Sequence, residues 1–204
     1  KQLRMQKDKK ENPNQKTCSY LTFNTVDWVD IFIRPVYKEV ITEAWNYFIK
    51  EKGLMVYSWC LMSNHLHMVA DCKPNTTLSL IERDFKKYTT TEILEALDLE
   101  PDLRREWMLQ RFEHSSQSLK RIEKFQLWQS CSNPAFIEFK QVFKLQERIL
   151  YVHENPVRDK IVAHPEDYLH SSAADYAGKK GPVNVTVINF EQLRLSVLKS
   201  GSSD

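Results

Sequence analysis

The stretch "LMVYSWCLMSNHLHMVADC", residues 54–72, decides the fold. Its first nine residues are a nearly unbroken apolar run of strand length, which fits a central strand buried on both faces. The "SN" at 63–64 reads as a turn. "HLHMVADC" then alternates, placing His65, His67 and Val69 on one face and Leu66, Met68 and Ala70 on the other. The stretch is therefore a β-hairpin whose second strand carries two of the chain's six histidines on a single side.

Before the hairpin, β-branched and aromatic residues cluster in "CSYLTFNTV" (18–26), which predicts a strand. Pro35 then opens a helix in which Val36, Val40, Ile41, Ala44, Trp45 and Phe48 recur at helical spacing, with Gly53 as a stop. After the hairpin, "TTLSLIERDFKKYTTTEILEALDL" (76–99) predicts a second helix, with a capping box from Ser79 to Glu82 and an apolar stripe through Leu78, Ile81, Phe85 and Tyr88. Residues 100–120 are charged and poorly periodic, and "KFQLWQSC" (124–131) reads as a fourth strand or a lead into one. A helical pattern runs from about Ala135 to Asn155, and Pro156 ends it or follows its last turn. Loop-like sequence follows, then a closing stretch, "VNVTVINFEQLRLSVLKS", read as a strand and a short helix.

Strand, helix, strand, strand, helix, strand is the ferredoxin-like order, an α+β fold with an antiparallel sheet and helices on one face. The expected organisation is a mobile basic tail at 1–16, one domain over 17–177 and a C-terminal extension over 178–204. The tail carries six Lys or Arg against two acids and almost nothing apolar.

Composition narrows the classes. With 204 residues, 42% hydrophobic and 27% charged, the chain is long enough to bury a sizeable core. Its apolar runs are broken well before the roughly 20 residues of a membrane span. Residues 1–16 contain no short apolar segment with a cleavage site, so the expected location is cytoplasmic. The cysteines at 18, 60, 72 and 131 form no C-x-x-C pair, which opposes both a zinc ribbon and a disulfide framework. Net charge is only +2, so a nucleic-acid partner must be met by a local patch rather than by the whole molecule.

Side chains two apart on a strand project from the same face roughly 7 Å apart along the chain, so two imidazoles can converge on one metal ion. The plain alternative is a pair of hydrogen-bonded histidines at a sheet edge. Two imidazoles alone are also an incomplete site. Further groups stand in "LYVHENPVR" (150–158), where helical spacing gathers Val142, Phe143, Leu145, Ile149, Leu150 and Val152 on one arc. Tyr151 points away from that arc, and Asn155 shares its face at i+4. An exposed tyrosine beside a C-capping asparagine is the alternative here.

Taken together, "MSNHLHMVA", "FQLWQS" and "YVHENPVRDKIVAHPEDYLHSSAADY" resemble the REP-associated tyrosine transposases and the related small single-tyrosine transposases of bacterial insertion sequences, members of the HUH endonuclease superfamily. The resemblance runs from about Cys18 to Tyr176, although Ser63 stands where a proline is frequent and residues 100–135 have no evident counterpart. It implies a ferredoxin-like core that cuts single-stranded DNA, often beside a hairpin. Tyr151 would be the nucleophile, and His65, His67 and Asn155 the ligands of a divalent metal. Tyrosine attack on a backbone phosphate would give a 5′-phosphotyrosine and a free 3′-hydroxyl, keeping the phosphodiester energy for strand transfer without ATP. Imidazole and amide ligation suits Mg²⁺ or Mn²⁺ better than zinc.

DNA must also be held. Candidate phosphate contacts are Arg83, Lys86 and Lys87 on the second helix, Lys120 and Arg121, and Arg158 just beyond the tyrosine, each with a solvated surface charge as its alternative. Trp107, Trp128 and Tyr88 are candidate base-stacking rings, with core packing as theirs. His153 and Glu154 are bystanders or a proton relay. The expected partner is single-stranded or hairpin DNA, with no membrane, and the protein a monomer or homodimer. Two rival functions remain: a domesticated DNA- or RNA-binding domain that keeps these residues without the reaction, and a metal-dependent hydrolase in which Tyr151 is structural.

Overall fold

The computed structural model describes residues 17–99, 101–117, 124–130 and 134–200. The chain runs β1 (Thr17–Asn24), α1 (Pro35–Glu51), β2 (Leu54–Leu61), β3 (His65–Cys72), α2 (Leu78–Leu99), α3 (Arg105–Gln117), β4 (Ala135–Glu138), α4 (Val142–Arg158), α5 (Ala173–Tyr176) and α6 (Phe190–Ser200). The sheet is antiparallel in the order β2-β3-β1-β4. This is the α+β, ferredoxin-like sheet that the hairpin led us to expect.

The alternation along β3 sorts the core as its residues demand. Leu66, Met68 and Ala70 pack with Leu21 and Phe23 of β1, under α1 and α2, where Trp45, Phe48, Trp59 and Phe85 interlock. Val69 faces the opposite way, into a second cluster with Cys18, Ile137 and the buried side of α4. A register shift between Val56 and Ser58 lets Val56 and Trp59 face the first cluster while Tyr57 and Cys60 face the second. Helices α1 and α2 thus cover one face and α4 the other, so the helices do not all lie on one face as expected: the apolar side of α4 has a second sheet face to bury against.

The later elements depart from the local pattern. Residues 124–130 are not a strand; Leu127 and Trp128 are buried, and the Trp128 indole donates to Thr89 Oγ1 at 2.9 Å. The fourth strand is the four-residue β4, paired with Thr17–Tyr20, at the point where a helix was expected to begin. The charged segment after residue 100 contains α3, in which Met108 and Phe112 alone are fully buried among the described side chains. The N-cap of α2 is Thr77, whose Oγ1 accepts from Leu80 N at 3.3 Å; Ser79 lies inside the helix, and Glu82 pairs with Lys86. The closing stretch yields α6, and its first part is not a strand.

In α4 the buried side is Val142, Leu145, Ile149 and Val152, while Phe143 and Leu150 are exposed. Pro156 sits inside the helix, which continues to Arg158. Proline has no N–H for the Val152 carbonyl one turn back. The Asn155 side chain compensates: its Nδ2 donates to Tyr151 O at 2.7 Å and Val152 O at 3.3 Å.

β2 is an edge strand, and its outer polar groups need partners. The segment 170–172 supplies them: Leu61 N donates to His170 O, Ser172 N to Trp59 O, and Trp59 N to Ser172 Oγ. Ser172 Oγ also lies 2.8 Å from His153 Nε2 on α4. The "HSS" at 170–172 therefore ties α4 to the sheet and sets where Tyr151 stands.

Candidate active site

His67 is 7% exposed, and its Nδ1 lies 2.8 Å from Tyr20 Oη and 2.9 Å from Thr22 Oγ1. Thr22 is its cross-strand partner on β1, so strand register places this hydroxyl. His65 Nδ1 lies 2.7 Å from Asn64 Oδ1, an oxygen that can only accept, so the proton of this contact belongs to the imidazole. The two imidazole centroids are 4.9 Å apart. Burial lowers the pKa of both rings, that of His67 to about 4, with the neighbouring His65 and Arg148 acting in the same direction. Burial thus favours the neutral rings, the form that can ligate.

Tyr151 reaches this pair from α4 in the same chain. Its ring centroid is 5.9 Å from that of His67 and 6.3 Å from that of Tyr20. Two guanidinium groups flank it. Arg158 Cζ lies 4.6 Å from the Tyr151 centroid, and Arg148 Cζ lies 5.5 Å from it and 4.4 Å from that of Tyr20. Burial raises the pKa of Tyr20, opposed by hydrogen bonding to Thr22 and by the charge of Arg148.

The donor set fits a divalent ion. With the proton on Nδ1, His65 and His67 each keep a free Nε2 lone pair, and the Nδ1 contacts orient the rings. Because Asn155 spends its Nδ2 on helix carbonyls, its amide oxygen is the remaining donor atom. Among the described residues no group of three or more His, Cys, Asp or Glu gathers that could hold a metal.

The expected DNA contacts divide. Arg158 stands at the site, whereas α2 packs on the opposite face of the sheet, so Arg83, Lys86 and Lys87 do not join it. Arg83 is exposed and paired with Asp84. Lys86 is turned inward, 18% exposed, between Glu82 Oε1 at 2.8 Å and Gln129 O at 3.1 Å. Lys87 is exposed. Lys120 and Arg121, like the basic tail, lie outside the described residues. Trp128 is core; Trp107 and Tyr88 are partly exposed, and Tyr88 stacks on Tyr47. His153 is buried against Ser172 and Tyr176, and Glu154 is exposed.

Sequence reasoning missed Tyr20, Thr22, Asn64 and Arg148. Arg148 was within reach, being three residues before Tyr151 on a helix whose face was already assigned. Tyr20 and Thr22 required the β1–β3 register.

The resemblance drawn from the histidine and tyrosine motifs is borne out: residues 21–112 match the model of the family described as Transposase IS200 like. The matched span runs from within β1 to within α3, includes the histidine pair and stops before α4 with its tyrosine motif. A solved structure, described as a REP-associated tyrosine transposase bound to a REP hairpin, matches with TM-score 0.50 and 12% identity over 89% of this chain and 93% of that one. That likeness is one of fold. No curated protein sequence matches the chain.

Proposed function

We propose, from the match of residues 21–112 to the IS200-like transposases, that this protein is a metal-dependent single-stranded DNA endonuclease and strand transferase acting at hairpin-associated sites through Tyr151. The observation that carries the reading is the approach of the Tyr151 ring to within 5.9 Å of His67 between two arginines of the same helix. The REP-hairpin complex of the structurally similar protein supports a hairpin beside the cleavage site. Among the described residues no helix is long and apolar enough to cross a membrane.

His65, His67 and the amide oxygen of Asn155 would hold Mg²⁺ or Mn²⁺. When bound, the ion supplies Lewis-acid polarisation of the scissile phosphate. The protein's own groups do the rest. Asn64, Tyr20 and Thr22 fix the imidazole rings, and Asn155 stiffens the helix turn below Tyr151. Arg148 and Arg158 place positive charge where the phosphate's non-bridging oxygens must lie, stabilising the charge that builds during attack. The Tyr151 oxygen forms a bond to phosphorus as the bond to the 3′ oxygen breaks. The phenol loses its proton, and the departing 3′ oxygen gains one. Reversal by a 3′-hydroxyl then joins a strand and frees Tyr151.

The test is a covalent adduct. Wild-type protein with Mn²⁺ and an end-labelled single-stranded hairpin oligonucleotide should retain label after denaturation, on the peptide containing "LYVHENPVR". Tyr151→Phe should bind the DNA and retain none. Label on another tyrosine refutes the nucleophile; DNA binding with no adduct in wild type points to a non-catalytic binding domain. Cleavage by Tyr151→Phe at the wild-type rate points to a hydrolase.

A further inference from the structure

Five tryptophans occur in the chain, and the fate of Trp28 differs from the rest. Trp45, Trp59 and Trp128 are buried and Trp107 is partly exposed, but the Trp28 side chain, 56% exposed, stands beside the histidine pair with its ring centroid 6.3 Å from that of His65. The backbone reaches this position by an unfavourable route. Asp27 and Trp28 both have left-handed backbones, with φ of 49° and 55°, in a chain where only three non-glycine residues among those described do so. Such conformations persist where surrounding contacts over-determine them.

Those contacts are present on every side. Val26 and Val29 are buried before and after the kink, and Thr25 Oγ1 lies 2.8 Å from Val29 O and 2.9 Å from Asn64 O. Asn64 bridges the kink to the site: its Nδ2 donates to Trp28 O at 3.3 Å, while its Oδ1 accepts from His65 Nδ1. Arg111, 3.7 Å from Asp27, offsets the one carboxylate of the turn. Every anchor is a backbone or a neighbouring side chain, and none needs the indole. The ring is left as a wide apolar face joined through one asparagine to His65.

We propose that Trp28 is a stacking platform for an unpaired nucleobase of the single strand whose phosphate lies at the His65–His67 pair. The inference rests on the reading of the site as one for single-stranded DNA. Every base offers a π-face, so an indole beside a phosphate site selects unpaired nucleotides without selecting sequence. It would also orient the strand relative to Tyr151, which phosphate contacts alone do poorly.

The test measures binding in the Tyr151→Phe background, where no adduct forms, with fluorescein-labelled dT15 and with the same oligomer made abasic at its central five positions. Trp28→Ala should weaken dT15 binding on the order of tenfold. Trp28→Phe should recover most of it. The abasic oligomer should bind the parent and Trp28→Ala alike, since it has no base to stack. Equal dT15 affinity of parent and Trp28→Ala overturns the proposal, as does equal loss on both oligomers, which would mark a backbone or folding effect. Adduct formation in the otherwise wild-type protein, measured separately, decides the reading of the site: adduct with an indifferent Trp28 sinks only the stacking role, and base-dependent binding without adduct sinks only the catalysis.

Discussion

Ser172→Ala deletes one oxygen from a side chain that is 0% exposed, and its cost follows from what that oxygen touches. Ser172 Oγ accepts from Trp59 N at 2.9 Å, lies 2.8 Å from His153 Nε2 and donates to Trp59 O at 3.3 Å. Trp59 is fully buried and His153 nearly so. The substitution therefore orphans two buried polar groups, each costing roughly 1–3 kcal/mol, or about 4 kcal/mol together. Against a domain stability of roughly 5–15 kcal/mol that is a large fraction. In urea, with a slope of about 2 kcal/mol/M, the midpoint should fall by about 2 M at unchanged slope. In a His153→Phe background, where one end of the bridge is already gone, the further cost should drop to the Trp59 N–H alone, roughly 1–3 kcal/mol. A loss below about 1 kcal/mol in the wild-type background would refute the view that this hydroxyl ties α4 to β2. Because the same tie positions Tyr151, the folded fraction of Ser172→Ala should also form adduct more slowly than wild type.

His65→Ala with His67→Ala should abolish metal-dependent cleavage and leave the far-ultraviolet circular dichroism unchanged; retained Mg²⁺- or Mn²⁺-dependent cleavage would remove the metal role from the pair. Arg148→Ala should slow adduct formation by about 10²–10³-fold, the effect of losing one transition-state donor, while DNA affinity changes only a few-fold; adduct at the wild-type rate would reduce Arg148 to packing. Burial, with the Lys38 ammonium acting the same way, pushes His170 down to about 4 from 6.5. The unfolded chain then binds the extra proton first, so this histidine's contribution to stability is present above pH 6.5 and is lost as pH falls towards 4. His170→Asn should flatten urea midpoints across that interval, and an unchanged slope would show that other groups carry the acid sensitivity.

Short-range periodicity, which depends on neighbours within one turn or one pleat, made much of this protein legible. Alternation in "HLHMVA" put both histidines on one face of β3, and i+4 spacing put Tyr151 and Asn155 on one face of α4; both held because each element is long enough to repeat its pattern. The fourth strand did not repeat. In β4 only Ile137 is buried, and its pairing with Thr17–Tyr20 spans more than a hundred residues, so no local signal separated it from the helix that follows. "KFQLWQSC" offered a stronger apolar pattern, which the fold instead spends on filling space between Thr25 and α2. Helix α3 was hidden because two buried residues among the eleven at 105–115 leave no stripe to read.

The site divides along the same line. Residue types and spacing were enough to single out the histidines, Tyr151, Asn155 and Arg158. Which groups surround them depended on contacts between segments far apart in the chain: Tyr20 and Thr22 come from strand register, Arg148 joins by lying over the Tyr20 ring of β1, and α2 takes Arg83, Lys86 and Lys87 to the other face. A helix wheel orders side chains around their own axis, but only the packing of that axis on a sheet decides what they meet.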